Sequence, residues 1–184
     1  MPRPGVIVLA GLPGAGKSTL AAAISERLAD VDVDVRIIDK DEVRHALFAP
    51  CDYSAAERDI TFSVMLDAAR YHLGRGRTVV FDGLTFSRRT QVAAAEAVAR
   101  ESDGFAAVIV CDVPVEVAIE RCERDAADGS HPAGNRDGDL VRRVAAEMEE
   151  PGGAYLTIPA TRPVAQTVEL ALTYVRECAD TRDG

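Results

Sequence analysis

Val6-Ile7-Val8-Leu9-Ala10-Gly11-Leu12-Pro13-Gly14-Ala15-Gly16-Lys17-Ser18 is the stretch on which the fold turns. A short β-branched apolar run reads as a strand. Leu20, Ile24 and Leu28 then repeat at helical spacing on a segment that begins near Lys17. Between them, Gly11 to Ser18 satisfies the pattern GxxxxGK[ST] in full, in the strand-to-helix context that gives the pattern meaning. Glycines allow backbone N–H groups to converge on phosphate oxygens, and the helix amino end adds about half a positive charge. Gly11, Gly14, Ala15, Gly16, Lys17, Ser18 and Thr19 are therefore expected to bind a nucleoside triphosphate, with ATP as donor. Lys17 would reach the β- and γ-phosphates and Ser18 would ligate Mg2+. The basic residues of the chain are 19 Arg and only two Lys, which makes a lysine at the one place the motif demands poor background. A planar guanidinium does not replace it there.

Outward from this loop, strand-like and helix-like stretches alternate to the end of the chain. Further strands are expected at Val33–Ile38, Thr78–Phe81, Ala106–Cys111 and Ala154–Ile158. Helices are expected from about Asp41 to Phe48, from a Ser54-Ala55-Ala56-Glu57 capping box to Gly74, from Ser87 to about Arg100, and from Pro114 to about Arg124. Two more carry Val141, Val144, Ala145 and Met148, and Val164, Val168, Leu172 and Val175. In the helix after Ser54, Ile60, Val64 and Ala68 read as the apolar stripe. Five strands with helical crossovers predict an α/β three-layer fold with a parallel sheet in the order 2-3-1-4-5. At 184 residues the chain reads as one domain. Residues 125–138 are rich in Asp, Gly and Ala without periodicity, and form a candidate lid loop.

Composition narrows the partners. Thirty acidic against 21 basic side chains give a net charge of −9, which argues against a broad nucleic-acid face. Five Phe, four Tyr and no Trp offer few stacking platforms for single strands. The longest apolar run, Phe105–Cys111, is seven residues, against about 20 for a membrane span. Met1–Pro4 leads straight into the first strand and does not read as a signal peptide. Cys51, Cys111, Cys122 and Cys178 match no metal spacing and read as reduced thiols of a cytoplasmic protein. A monomer or a homodimer fits equally.

Ligands of open parallel sheets sit beyond the carboxyl ends of the strands. Asp82 closes an apolar strand there and is expected to hold Mg2+ through water. Asp39 and Asp41 follow the second strand. Asp39 is expected to accept the proton of an acceptor hydroxyl, with Asp41 as the cap of the following helix or a substrate contact. Arg121, Arg124 and Arg136, with Arg142 and Arg143 nearby, are the candidates to close over the γ-phosphate. Pairing with Glu120, Glu123 and Asp125 is the alternative for each. His131 reads as exposed, and His45 and His72 as packing or surface residues.

Gly11–Thr19 together with Ile38-Asp39-Lys40-Asp41-Glu42-Val43-Arg44-His45-Ala46-Leu47 resembles the adenylylsulfate (APS) kinase group of small P-loop kinases. Ser54, Glu57 and Arg58 match that family's Ser-x-x-(Asp/Glu)-Arg helix start, and Glu150-Pro151 resembles its carboxylate-proline pair. The resemblance covers most of residues 5–160. It implies Mg·ATP-dependent phosphorylation of a hydroxyl on a small-molecule acceptor, with Arg44 and Arg58 gripping an anionic acceptor and Asp39 near the reacting hydroxyl. The chain departs from the family at Phe81-Asp82-Gly83-Leu84, in place of Phe-Ile-Ser-Pro, and has no Lys-Gly-Leu-Tyr in the lid. Asp82-Gly83 is similar instead to a broader group that includes seryl-tRNA kinases and antibiotic phosphotransferases. A genuine APS kinase, one of those phosphotransferases and a non-enzymatic ATP-dependent switch are the alternatives.

Overall fold

A computed structural model describes residues 3–127 and 137–181. The elements run β1 (Gly5–Ala10), α1 (Lys17–Ala29), β2 (Val35–Asp39), α2 (Lys40–Phe48), α3 (Ala55–Leu73), β3 (Thr78–Asp82), α4 (Arg89–Glu101), β4 (Phe105–Asp112), α5 (Val115–Ala127), α6 (Gly138–Glu147), β5 (Leu156–Pro159) and α7 (Val164–Asp180). The sheet has five strands in the order β2-β3-β1-β4-β5, every neighbour pair parallel. This is the predicted order. His131 and Arg136 lie outside the described residues, as does most of the expected lid loop; α5 extends past Arg124 to Ala127.

β1 is buried along its whole length because helices cover both faces of the sheet, so it reads as a continuous apolar run. Alternation divides its side chains. Ile7 and Leu9 join Ile24 of α1 and Leu172 of α7 in one core layer. Val6 and Val8 join Met65 of α3 and Val98 of α4 in the other. β2 is an edge strand, and Arg36 and Ile37 stay exposed there.

Two expectations about helices are corrected. The buried stripe of α3 is Thr61, Met65, Ala69 and Leu73, not Ile60, Val64 and Ala68; Ile60 is 49% exposed. Thr61 is tolerated in that stripe because its hydroxyl donates to the Glu57 carbonyl at 2.7 Å, so no polar group is left unsatisfied. Ser87 does not cap α4. Glu149, from the segment after α6, accepts the Arg89 N–H at 2.8 Å, and the Glu149 N–H donates to the Ser87 carbonyl at 2.9 Å. A carboxylate distant in sequence supplies what the local serine was expected to give. Among the described residues no helix is long and apolar enough to cross a membrane.

Candidate active site

The loop between β1 and α1 is shaped by left-handed backbone. Gly14 has φ +77°, and a Cβ there would run into the Ala118 carbonyl of α5. Only glycine meets both conditions. The Gly11 N–H donates to the Thr85 carbonyl at 3.0 Å, fixing the loop to the segment after β3. Lys17 is buried and donates from Nζ to the Gly11 and Leu12 carbonyls at 2.9 and 2.7 Å, so its ammonium is held inside the loop. Ser18 Oγ donates to Asp82 Oδ1 at 3.0 Å, and the Gly83 N–H donates to the same oxygen at 2.7 Å.

The carboxyl ends of the strands open into a cleft of about 1170 Å³. Gly14–Thr19 form one wall. Lys40, Asp41 and Arg44 of α2 form another, joined by Arg58 and Phe62 of α3. Arg121, Arg124 and Arg143 line the cleft from α5 and α6.

Of the two acids at the end of β2, the cap of α2 is Asp39, the residue expected to accept the acceptor's proton. Its Oδ1 accepts the Glu42 N–H at 2.8 Å. Asp41, expected as the cap or a substrate contact, is not the cap; it lines the cleft and pairs with Lys40 Nζ at 3.0 Å. The reason is positional. The residue just before the first helical residue can aim its side chain at the third N–H, and β2 continues to Asp39.

Arg44 is 8% exposed, and its Nε has no hydrogen-bond partner. Its guanidinium lies over the Tyr53 ring, 5.3 Å from the centroid. Tyr53 is held by the buried Glu57 carboxylate, which accepts the Asp52 and Tyr53 N–H groups at 2.9 Å each. That is a departure from a simple capping box. Ser54 caps α3 as expected, but Glu57 reaches the residues before it. Arg58 also reaches the cleft, but its side chain is 56% exposed and pairs with Asp59 at 3.3 Å.

Arg121 does not hang over the cleft as an unattached lid arginine. Its Nη1 and Nη2 donate to the Gly14 and Ala160 carbonyls at 3.3 and 3.0 Å, tying the phosphate loop to the turn after β5. Arg142 pairs with Asp139 of its own helix. Cys111 lines the floor of the cleft, and burial pushes its thiol up to about 11 against the pull of the Lys17 ammonium. His45 is exposed, and His72 contacts Arg77 at the amino end of the strands. The described cysteines are free thiols.

Sequence reasoning missed Lys40, Tyr53 and Phe62. The signal for Lys40 was present: the scarcity of lysine that singled out Lys17 applies equally to it.

The AAA domain family profile matches residues 6–151. An adenylyl-sulfate kinase of Paraburkholderia xenovorans is 30% identical over 176 residues, covering 94% of this chain and 93% of that one. In fold, the chain is similar to the Mycobacterium tuberculosis APS kinase CysC, solved in complex with AMPPNP and APS. The TM-score is 0.75 at 20% identity, over 96% of this chain and 99% of that one. A gluconokinase from Sinorhizobium meliloti gives a TM-score of 0.69 at 19% identity, over 98% and 96%. A complete phosphate loop on a 2-3-1-4-5 sheet, the AAA domain match and identity running along nearly the whole of both chains have one reading: the protein belongs to the adenylyl-sulfate kinase family of P-loop phosphotransferases, which pass a phosphoryl group from ATP to a hydroxyl of a small molecule.

Proposed function

We propose that the acceptor is an anion bound by Arg44, and that adenylyl sulfate is that acceptor. The observation that carries this reading is the state of Arg44. A guanidinium almost out of solvent, with an unpartnered Nε and only an aromatic face beside it, is costly unless something negative completes it. Its planar fork suits a phosphate or sulfate. Arg58, with its looser pairing, is the second contact.

On the donor side, Gly11, Gly14, Ala15, Gly16, Lys17 and Thr19 hold the triphosphate of ATP. Ser18 and Asp82 are hard oxygen donors linked at 3.0 Å beside the phosphate loop, and they suit Mg2+, which takes few protein ligands and completes its shell with phosphate and water. The bound ion would neutralise charge on the β- and γ-phosphates. Asp41, which lines the cleft, takes the acceptor's proton, while the Asp39 carboxylate is engaged in fixing the start of α2. Arg121 acts by positioning, and Arg124 and Arg143 supply cations at the mouth of the cleft.

Thr85, Ser87 and Thr90, which also line the cleft, favour a second reading, a polyhydroxylated carboxylate as acceptor. Steady-state kinetics with Mg·ATP and adenylyl sulfate test the first. Arg44→Met is expected to raise the acceptor KM by about 10-fold or more, about 1.4 kcal/mol, with the ATP KM unchanged. Equal acceptor KM values in both proteins would remove Arg44 from the acceptor site.

A further inference from the structure

We propose that Lys40 is a catalytic residue of this site, a second lysine that contacts the phosphoryl group in transit between nucleotide and acceptor. The inference rests on the phosphotransfer reading above. Both lysines of the chain line the same cleft. Each is also the first residue of a helix that leaves the carboxyl end of a strand, Lys17 after β1 and Lys40 after β2. That is the wrong place for a cation on helical grounds. The amino end of a helix is positive, and a charge there shifts helix stability by about 0.3–1 kcal/mol, in favour of acids and against lysine. The rest of α2 obeys the rule, with Asp39 as cap and Asp41 and Glu42 in the first turn. At Lys17 the same unfavourable placement accompanies the phosphate contact proposed above. Lys40 repeats it two positions along the sheet, with β3 between the two strands, and lines the same cleft.

The surroundings place Lys40 close to the reacting groups. Asp39 and Asp82 are register partners, so Lys40 and Gly83 leave neighbouring strand ends side by side. A Cβ built on Gly83 would stand 3.1 Å from Lys40 Cβ. Asp82, the residue before Gly83, is bonded to Ser18 of the phosphate loop. The Lys40–Asp41 pair is largely shielded, with side chains 18% and 11% exposed. Arg44 follows one turn later, about 6 Å further along the helix axis, on the same cleft wall. Lys40 therefore sits beside the strand end that reaches the phosphate loop and lines the same cleft as the residue proposed to hold the acceptor.

In the transfer, the acceptor hydroxyl oxygen bonds to the γ-phosphorus, and the bond from that phosphorus to the β–γ bridging oxygen breaks. ADP leaves, and the hydroxyl proton passes to Asp41. Charge spreads over the equatorial phosphoryl oxygens, where fixed cations are most effective. Lys17 meets that charge from the donor side and Lys40 from the acceptor side. Lys40 gives up no proton; a compact ammonium on a flexible stem follows the group as it crosses.

Calorimetric affinity for Mg·ADP, measured with and without aluminium fluoride as a stand-in for the moving phosphoryl group, tests this without any acceptor. Fluoride is expected to tighten Mg·ADP binding in the unsubstituted protein. In Lys40→Met that gain falls by about 10-fold or more, while affinity for Mg·ADP alone stays within roughly twofold. Because Lys40→Met removes the lysine from a shielded carboxylate, the Lys40→Met/Asp41→Asn variant is made alongside, and it is expected to lose the gain as well. A gain preserved in either folded variant overturns the role of Lys40 and leaves the phosphotransfer reading standing. No gain in the unsubstituted protein overturns that reading, and the role of Lys40 with it.

Discussion

Asp39 and Asp82 face each other on the last rung of the β2–β3 ladder, yet their carboxylates serve different ends. Asp39 Oδ1 accepts the Glu42 N–H and starts a helix, whereas Asp82 Oδ1 accepts from Ser18 Oγ and reaches the phosphate loop. Strand register puts both at the carboxyl edge of the sheet; the turn that follows each strand decides whether its carboxylate caps a helix or braces the phosphate loop.

Asp39 and Asp41 should consequently separate by experiment. Asp39→Ala removes a helix cap and is expected to cost about 1 kcal/mol, seen as a fall in Tm of about 2–4 °C. Asp41→Asn is expected to lower kcat by roughly 10²- to 10⁴-fold with Mg·ATP affinity retained. The opposite pattern, with kcat lost at Asp39 and kept at Asp41, would return the proton-accepting role to Asp39.

Lys17→Ala is expected to abolish ATP turnover while circular dichroism and Tm show an intact fold. Its ammonium is held by two carbonyls of the loop and is not part of either apolar core layer. Lys17→Arg should fail too, since a planar fork does not fit where a point charge sits. Turnover surviving in either variant would contradict the phosphate-loop account.

Asp82→Asn keeps an oxygen for Ser18 and the Gly83 N–H but loses the negative charge. Titration of activity against Mg2+ should show the half-saturating concentration rising by about 10-fold or more, as expected for loss of one charged oxygen near the ion. An unshifted Mg2+ curve would mean that Asp82 only braces Ser18.

Cys111 makes stability depend on alkaline pH. Its folded thiol is raised to about 11 from 9.0, so above pH 9 the unfolded chain releases a proton that the folded chain keeps. Bound protons are then fewer in the unfolded state, and stability falls as pH rises, by up to about 1.4 kcal/mol per unit between those values. Urea unfolding of the parent and of Cys111→Val between pH 8 and about 10.5 should give curves that diverge above 9, the parent losing more. Parallel curves would show that the Cys111 thiol does not titrate differently on unfolding.

Sheet order, the phosphate loop and the strand-end acids were legible because each depends on local pattern: an apolar run, glycines at fixed spacing, a carboxylate closing a strand. What was not legible depends on contacts distant in sequence. Glu149 caps α4 across 60 residues, a pairing no local pattern announces. The stripe of α3 was misread by one position because Ile60 outranks Thr61 in hydropathy, while the Thr61 hydroxyl is satisfied by its own helix. Arg121 reads in the sequence as a lid cation, because a guanidinium bonded to two backbone carbonyls looks the same there as an unattached one. The choice between Asp39 and Asp41 turned on where β2 ends, the least certain feature of a strand read from sequence.

We propose that the γ-phosphoryl group of ATP moves to a hydroxyl of an anionic acceptor in the cleft beside Arg44. Phosphorus NMR of the purified protein with Mg·ATP and adenylyl sulfate observes that transfer itself. The account predicts a new phosphomonoester resonance on the acceptor, rising in step with ADP, absent in Lys17→Ala and, at an acceptor concentration well below KM, reduced about 10-fold in Arg44→Met. Adenylyl sulfate left unphosphorylated while a polyhydroxylated carboxylate gains the phosphoryl group would contradict the assignment of the acceptor. ADP accompanied only by inorganic phosphate, whatever the acceptor supplied, would contradict the transfer.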